Sequence, residues 1–189
     1  FGSIDRPFAP LAVAIGAGAT FVARGVDVFQ PHLKSTLKRV ASHKGTAFTE
    51  ILQNCNIFND GAWEGITEKD VRDDHILFLE HGKPLLFGKN KDKGIRQSGF
   101  DIEVVTLGNG VTEGDLLVHD ESHPSPAYSF MLASMDGRPG FPTPVGVLRN
   151  IDAPVYEEQV NAQVQQIVAS KGKGDLGRLL RGPETWEVR

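Results

Sequence analysis

Residues Thr20–Leu52, TFVARGVDVFQPHLKSTLKRVASHKGTAFTEIL, decide the fold. Thr20–Gly25 is a short β-rich apolar run of the kind that fills a buried strand. Asp27 and Pro31 are helix-start signals. Beyond them Leu33, Leu37 and Val40 recur at i, i+4 and i+7, while Lys34, Lys38 and Arg39 take the wet face. Gly45–Leu52 returns to a β-favouring composition through Thr, Phe and Ile. Strand, helix, strand is a βαβ unit, and its right-handed crossover makes the two strands parallel. The expected class is α/β, a mainly parallel sheet flanked by helices.

On the N-terminal side, Pro10 opens an alanine-rich apolar stretch, Leu11 to Ala17, with Gly16 and Gly18 suited to a close-packed helix end. The glycines of Gly16–Phe21 precede a strand rather than follow one, so they do not form a dinucleotide fingerprint. On the C-terminal side, His75–Gly108 breaks into short apolar runs divided by Gly, Pro and Lys and reads as irregular strands and loops. Within it Gly88–Gly94, GKNKDKG, reads as an exposed loop. Tyr128–Met135 suits a short apolar helix. Gly137–Arg149 is dense in breakers and reads as an extended surface connection. The C-terminal helix has Asp152 as cap, Pro154 at its first position and an apolar stripe of Val160, Val164, Ile167 and Val168. A shorter helix spans Asp175 to Arg181 and stops at Gly182-Pro183, after which Trp186 is expected to pin the tail.

At 189 residues the chain can bury a core without staples, and 40% hydrophobic with 23% charged residues is an ordinary globular balance. The net charge of −4 excludes the basic excess of a nucleic-acid surface. No apolar run approaches the roughly 18 residues that span a bilayer. A single cysteine excludes an intrachain disulfide, and with no secretory signal in view the expected compartment is the cytoplasm.

That cysteine, Cys55, follows the second strand of the βαβ unit at its carboxyl end, the edge where open α/β sheets bind ligands. Residue type alone favours a buried small hydrophobe. Its neighbours Asn54, Asn56, Asn59 and Asp60 favour a polar loop, where a thiolate serves as nucleophile or metal ligand. A nucleophile needs a base, and spacing pairs none of the six histidines with it. A ligand needs further corners, since a 4Fe-4S cluster takes four thiolates. His119–His123, HDESH, is readable as a metal site and better as a turn with capping carboxylates. Catalytic and cofactor-contacting residues are not assignable from these motifs.

Five blocks together resemble one family: PFAPLAVAIGAGATFVARG (7–25), HKGTAFTEILQNCNIFND (43–60), PLLFGKNKDKGIR (84–96), HDESHPSPAYSFMLASM (119–135) and PTPVGVLR (142–149). They are similar to the beta subunits of 2-oxoacid:ferredoxin oxidoreductases, above all the 2-oxoglutarate type. The resemblance implies thiamine diphosphate with Mg2+, a 4Fe-4S cluster, and an alpha or fused alpha/gamma subunit as partner in an α2β2 heterotetramer. It implies coenzyme A-dependent oxidative decarboxylation of a 2-oxoacid, with electrons passed to ferredoxin, and neither nucleic acid nor membrane as partner. LQNC matches the family's fourth cluster cysteine, which makes Cys55 the metal ligand. The family's GDG thiamine motif and first three cysteines precede the matched region, and Phe1 aligns just after the segment that lies against the diphosphate. The chain is thus expected to be the C-terminal half of such a subunit. The implied domains are 1–62, the end of the thiamine-diphosphate-binding domain, 63–153, an irregular extension, and 154–189, a helical tail. A beta subunit for pyruvate or another 2-oxoacid, a thiamine enzyme without the cluster, and a fragment serving only assembly are the alternatives.

Overall fold

The structure, a computed structural model, describes residues 4, 5, 7–184, 186 and 188, so Phe1 lies outside it. The chain forms two compact units, 1–153 and 154–189.

In the first unit α1 (Pro10–Gly16) leads into β1 (Phe21–Val26), α2 (Gln30–Ser42) and β2 (Ala47–Leu52). β1 and β2 pair in parallel from Phe21 opposite Ala47 to Val26 opposite Leu52, as the βαβ pattern requires. All six residues of β1 are buried. At roughly 1.5–3 kcal/mol for each large apolar side chain removed from water, this strand anchors the sheet.

The chain continues through α3 (Glu64–Thr67), α4 (Arg72–His75), β3 (Ile76–Phe78), β4 (Leu86–Phe87), β5 (Lys93–Ser98), β6 (Asp101–Thr106), α5 (Pro126–Ala133) and β7 (Thr143–Asn150). One sheet has the order β2-β1-β7-β3. Its β1–β2 and β3–β7 pairings are parallel and its β1–β7 pairing antiparallel, which gives the mainly parallel sheet expected. Val22, Leu77 and Leu148 share a core with Leu11 and Ile15 of α1 and Leu132 of α5. Phe21, Ala23 and Val147 pack with Val40 of α2. Helices therefore cover both faces. A second sheet, β4-β5-β6, feeds Phe87, Ile95 and Ile102 into the α1/α5 core.

Of Gly137–Arg149, only the first residues, 137–140, form the expected surface connection. Thr143–Arg149 is buried and lies between β1 and β3. The apolar run Val145, Val147 and Leu148 outweighs the breakers. Gly146 has φ +131°, and a Cβ there would stand 3.0 Å from the Leu79 carbonyl oxygen, so this glycine admits a close backbone approach rather than a turn. Residues 75–108 are also more regular than their composition suggests, with β5 and β6 paired over six residues each. Lys93 and Gly94 belong to β5, and only Lys89 to Lys91 of the lysine loop are exposed.

α5 begins two residues early, because the Ser125 hydroxyl accepts the Ala127 N–H and Pro126 takes the first helical position.

In the second unit α6 spans Tyr156–Lys171 and α7 Leu176–Arg181. Neither Asp152 nor Pro154 opens α6, whose N-cap is Val155. Pro154 stays outside, its carbonyl accepting from Gln159 Nε2. Asp175 caps α7 through Arg178 N at 3.0 Å. Trp186 is exposed rather than packed. Among the described residues no helix is long and apolar enough to cross a membrane.

Candidate functional site

The parallel strands β1 and β2 end side by side at Val26 and Leu52, and the loops that follow are sewn together. Asp27 N donates to the Leu52 carbonyl at 3.1 Å, and Asn54 N donates to Asp27 Oδ2 at 3.3 Å. The Asn54 side chain spans the second loop: Nδ2 donates to Asp60 Oδ1 at 2.9 Å, and Oδ1 accepts from Gly61 N at 2.9 Å. Trp63 Nε1 donates to the Gln53 carbonyl and closes the loop's base. Cys55 stands in that frame, its carbonyl accepting from Asn59 N at 2.9 Å.

The thiol is exposed, not buried. Main-chain N–H groups of Phe58, then Ile57 and, more weakly, Asn59 point at its sulfur and hold its pKa below the ordinary thiol value. Such converging amide dipoles stabilise the thiolate, the form that binds metals. Ile57 and Phe58, 85% and 89% exposed, flank it. Sequence placed asparagine amides around Cys55, whereas the structure uses Asn54 to brace the loop and aims main-chain amides at the sulfur. Among the described residues no cluster of three or more His, Cys, Asp or Glu could hold a metal by itself. Cys55 thus has no such cluster beside it among the described residues.

A cavity of about 650 Å³ opens beside the loop, walled by Phe8, Pro10, Leu52 and Trp63 with Arg24, Glu50, Asp136 and Arg138. Arg24 is 2% exposed. Its Nε donates to Glu50 at 2.6 Å and its Nη2 to Asp136 at 2.8 Å, while Nη1 is buried with no partner among the described residues. This network was not read from the sequence. Its signal was a charged residue inside the apolar run FVARG, because a buried guanidinium must be paired.

The other sequence candidates do not join Cys55. His119 is 1% exposed, with its Nε2 on the Val147 carbonyl at 2.8 Å and Nδ1 on the Tyr128 hydroxyl at 3.1 Å. The carbonyl can only accept, so Nε2 carries the proton and Nδ1 accepts from the phenol. Burial lowers the His119 pKa and pushes that of Tyr128 up to about 12. Asp120 accepts from Ser122 N and Oγ, and Glu121 pairs with Arg39 and Asn150. HDESH is a braced turn. In the lysine loop, Lys93 Nζ bonds Asp74 at 2.9 Å, which lowers the Asp74 pKa and raises that of Lys93.

Fold and site thus define an α/β protein whose parallel strands present an exposed thiol just beyond their carboxyl edge. No family model matches the chain. It is 36% identical over 189 residues, 99% of its length, to the 2-oxoglutarate oxidoreductase subunit KorB of Mycobacterium tuberculosis, and covers 50% of that protein. It is 43% identical over 78 residues, 41% of the chain and 24% of the relative, to the 2-oxoacid:ferredoxin oxidoreductase subunit beta of Saccharolobus solfataricus. A structure of the 2-oxoglutarate:ferredoxin oxidoreductase from Magnetococcus marinus with 2-oxoglutarate, coenzyme A and succinyl-CoA bound superposes with a TM-score of 0.59 at 19% identity. That superposition covers 98% of this chain and 47% of the other, and it supports the fold. The chain is similar to the beta subunits of 2-oxoacid:ferredoxin oxidoreductases and spans about half the length of the mycobacterial relative.

Proposed function

We propose that this chain is part of the beta subunit of a 2-oxoglutarate:ferredoxin oxidoreductase, a complex that converts a 2-oxoacid and coenzyme A to acyl-CoA and CO2 and passes the electrons to ferredoxin. The similarity to KorB along nearly the whole chain carries this reading. The 2-oxoglutarate, coenzyme A and succinyl-CoA bound to the Magnetococcus enzyme are in keeping with the substrates.

In this reading Cys55 is one thiolate ligand of a 4Fe-4S cluster. The residues present fit that role. The sulfur is exposed, and neighbouring main-chain N–H groups favour its thiolate, the form that ligates iron. Such a cluster would supply a relay for single electrons when bound. Asn54, Asp60 and Trp63 fix the loop so that the sulfur keeps one position as the charge beside it changes. Thiamine diphosphate and Mg2+ belong to the same reading, held by residues of the family's GDG segment rather than by motifs of this chain. An alpha or alpha/gamma subunit completes the complex as an α2β2 assembly in the cytoplasm.

The test is Cys55→Ser in the complete complex. Loss of the cluster's visible absorbance and of ferredoxin reduction, with the subunits still assembled, is the expected result. Unchanged absorbance and unchanged reduction would remove Cys55 from the ligand set.

A further inference from the structure

The second unit poses a packing problem. No residue of α6 or α7 is buried, yet α6 carries a continuous apolar stripe: Val164, Ile167 and Val168 are 54%, 49% and 39% exposed, and Val160 is half-buried. At 100° per residue these four fall within an arc of about 100°, the width of a packing face. Most of the remaining circumference is amide and small polar, including Gln159, Gln163, Gln165, Gln166 and Ser170. A helix of 16 residues gains most of its stability from covering such a face.

Two charges lie on the same arc. Glu157, in the first turn, and Lys171, in the last, close the stripe at its two ends. Each suits its end of the helix dipole, but the dipole does not demand that they share the apolar face. Their placement is symmetric. Glu157 and Lys171 stand seven residues to either side of Val164, and Val160 and Val168 stand four residues to either side.

We propose that α6 pairs antiparallel with α6 of a second copy of this chain, on a two-fold axis through Val164. That axis sets Val164 against itself, Val160 against Val168, and Glu157 of each copy against Lys171 of the other. Ile167 falls opposite Asn161 of the other copy, at the edge of the seam. A parallel pairing would set Glu157 against Glu157 and Lys171 against Lys171, so the charge pattern selects one direction. The seam, about 24 Å long with four apolar residues per copy, is smaller than the ~800 Å² per partner of a standard interface. The contact is therefore reversible, and local crowding or a shared assembly tightens it. This inference does not rest on the enzymatic reading above.

Disulfide trapping in the full chain tests it, with bridges assigned by peptide mapping because Cys55 is also present. Val164→Cys bridges to itself, and a mixture of Glu157→Cys and Lys171→Cys chains bridges 157 to 171. Gln166→Cys, on the opposite face, does not bridge. In sedimentation at low salt, Glu157→Lys weakens self-association about ten-fold by turning two attractions into two repulsions. The double variant Glu157→Lys/Lys171→Glu restores it to within about two-fold, which only an antiparallel self-pairing predicts. A 157-to-157 bridge, failure of the double variant to restore association, a 164 bridge only to some other protein, or a monomer at every concentration would each overturn the proposal.

Discussion

Two polar stretches of this chain carry side chains of the kinds that ligate metals in other proteins, and they solve opposite problems. Residues 53–63 display the thiol of Cys55 to solvent and spend their hydrogen bonds on holding the loop around it. Residues 119–123 bury the imidazole of His119 and use both of its nitrogens on the Val147 carbonyl and the Tyr128 hydroxyl. Ligand type does not distinguish the two. What does is whether a group's bonding capacity is consumed by the fold or left facing outward with its reactive form favoured. On that criterion the first stretch is the candidate site and the second a brace.

The comparison breaks first if His119 is dispensable. His119→Ala removes a fully buried ring and its bonds to the Val147 carbonyl and the Tyr128 hydroxyl, which keeps only the longer contact to the Val118 carbonyl at 3.4 Å, so a stability loss of about 2–4 kcal/mol is expected in denaturant unfolding. The acid side carries the same message. Burial holds folded His119 neutral below its ordinary pKa of 6.5, so the unfolded chain takes up the proton first. Its contribution is complete above pH 6.5 and declines as pH falls below that value. The variant loses this part of the acid dependence.

Tyr128→Phe is a smaller change. It deletes one hydroxyl that donates to Nδ1, at a cost of about 1 kcal/mol near neutrality. Its clearest reading is alkaline. The phenol, pushed up to about 12, stays protonated in the folded protein while an unfolded one ionises near 10. Its contribution is therefore complete below pH 10 and lost as pH rises from 10 toward 12. Wild-type protein should show that decline in unfolding titrations, and the variant should not.

The parts of the fold legible in the sequence were those in which a local pattern and the global packing agree. β1, α2 and β2 follow from composition and period, and their parallel pairing follows from crossover geometry alone. β7 was hidden because Pro142, Pro144 and Gly146 signal a break locally. The apolar residues between them pay off only once β1 and β3 are in place on either side, and that pairing is distant in sequence. The position of Cys55 at a strand's carboxyl edge was readable for the same local reason as β2. The donors to its sulfur were not, because main-chain N–H groups leave no mark in a sequence. The Arg24–Asp136 pair, which joins β1 to the segment after α5, was equally out of reach.

The smallest expected effect sharpens the comparison most. Asn54→Ala removes the bonds to Asp60 and Gly61 that brace the Cys55 loop, all of them at the surface. The melting temperature should move by less than about 2 °C, as for other surface changes. Thiol chemistry should move more. With the brace gone, the N–H groups of Ile57 and Phe58 no longer converge on the sulfur, the thiol pKa rises toward its ordinary value, and alkylation of the metal-free chain at pH 7 slows several-fold. Unchanged alkylation would mean that the turn from Cys55 to Asn59 holds those donors by itself. A large fall in melting temperature with unchanged alkylation would make the loop a brace like its counterpart at His119, and the contrast between the two stretches would disappear.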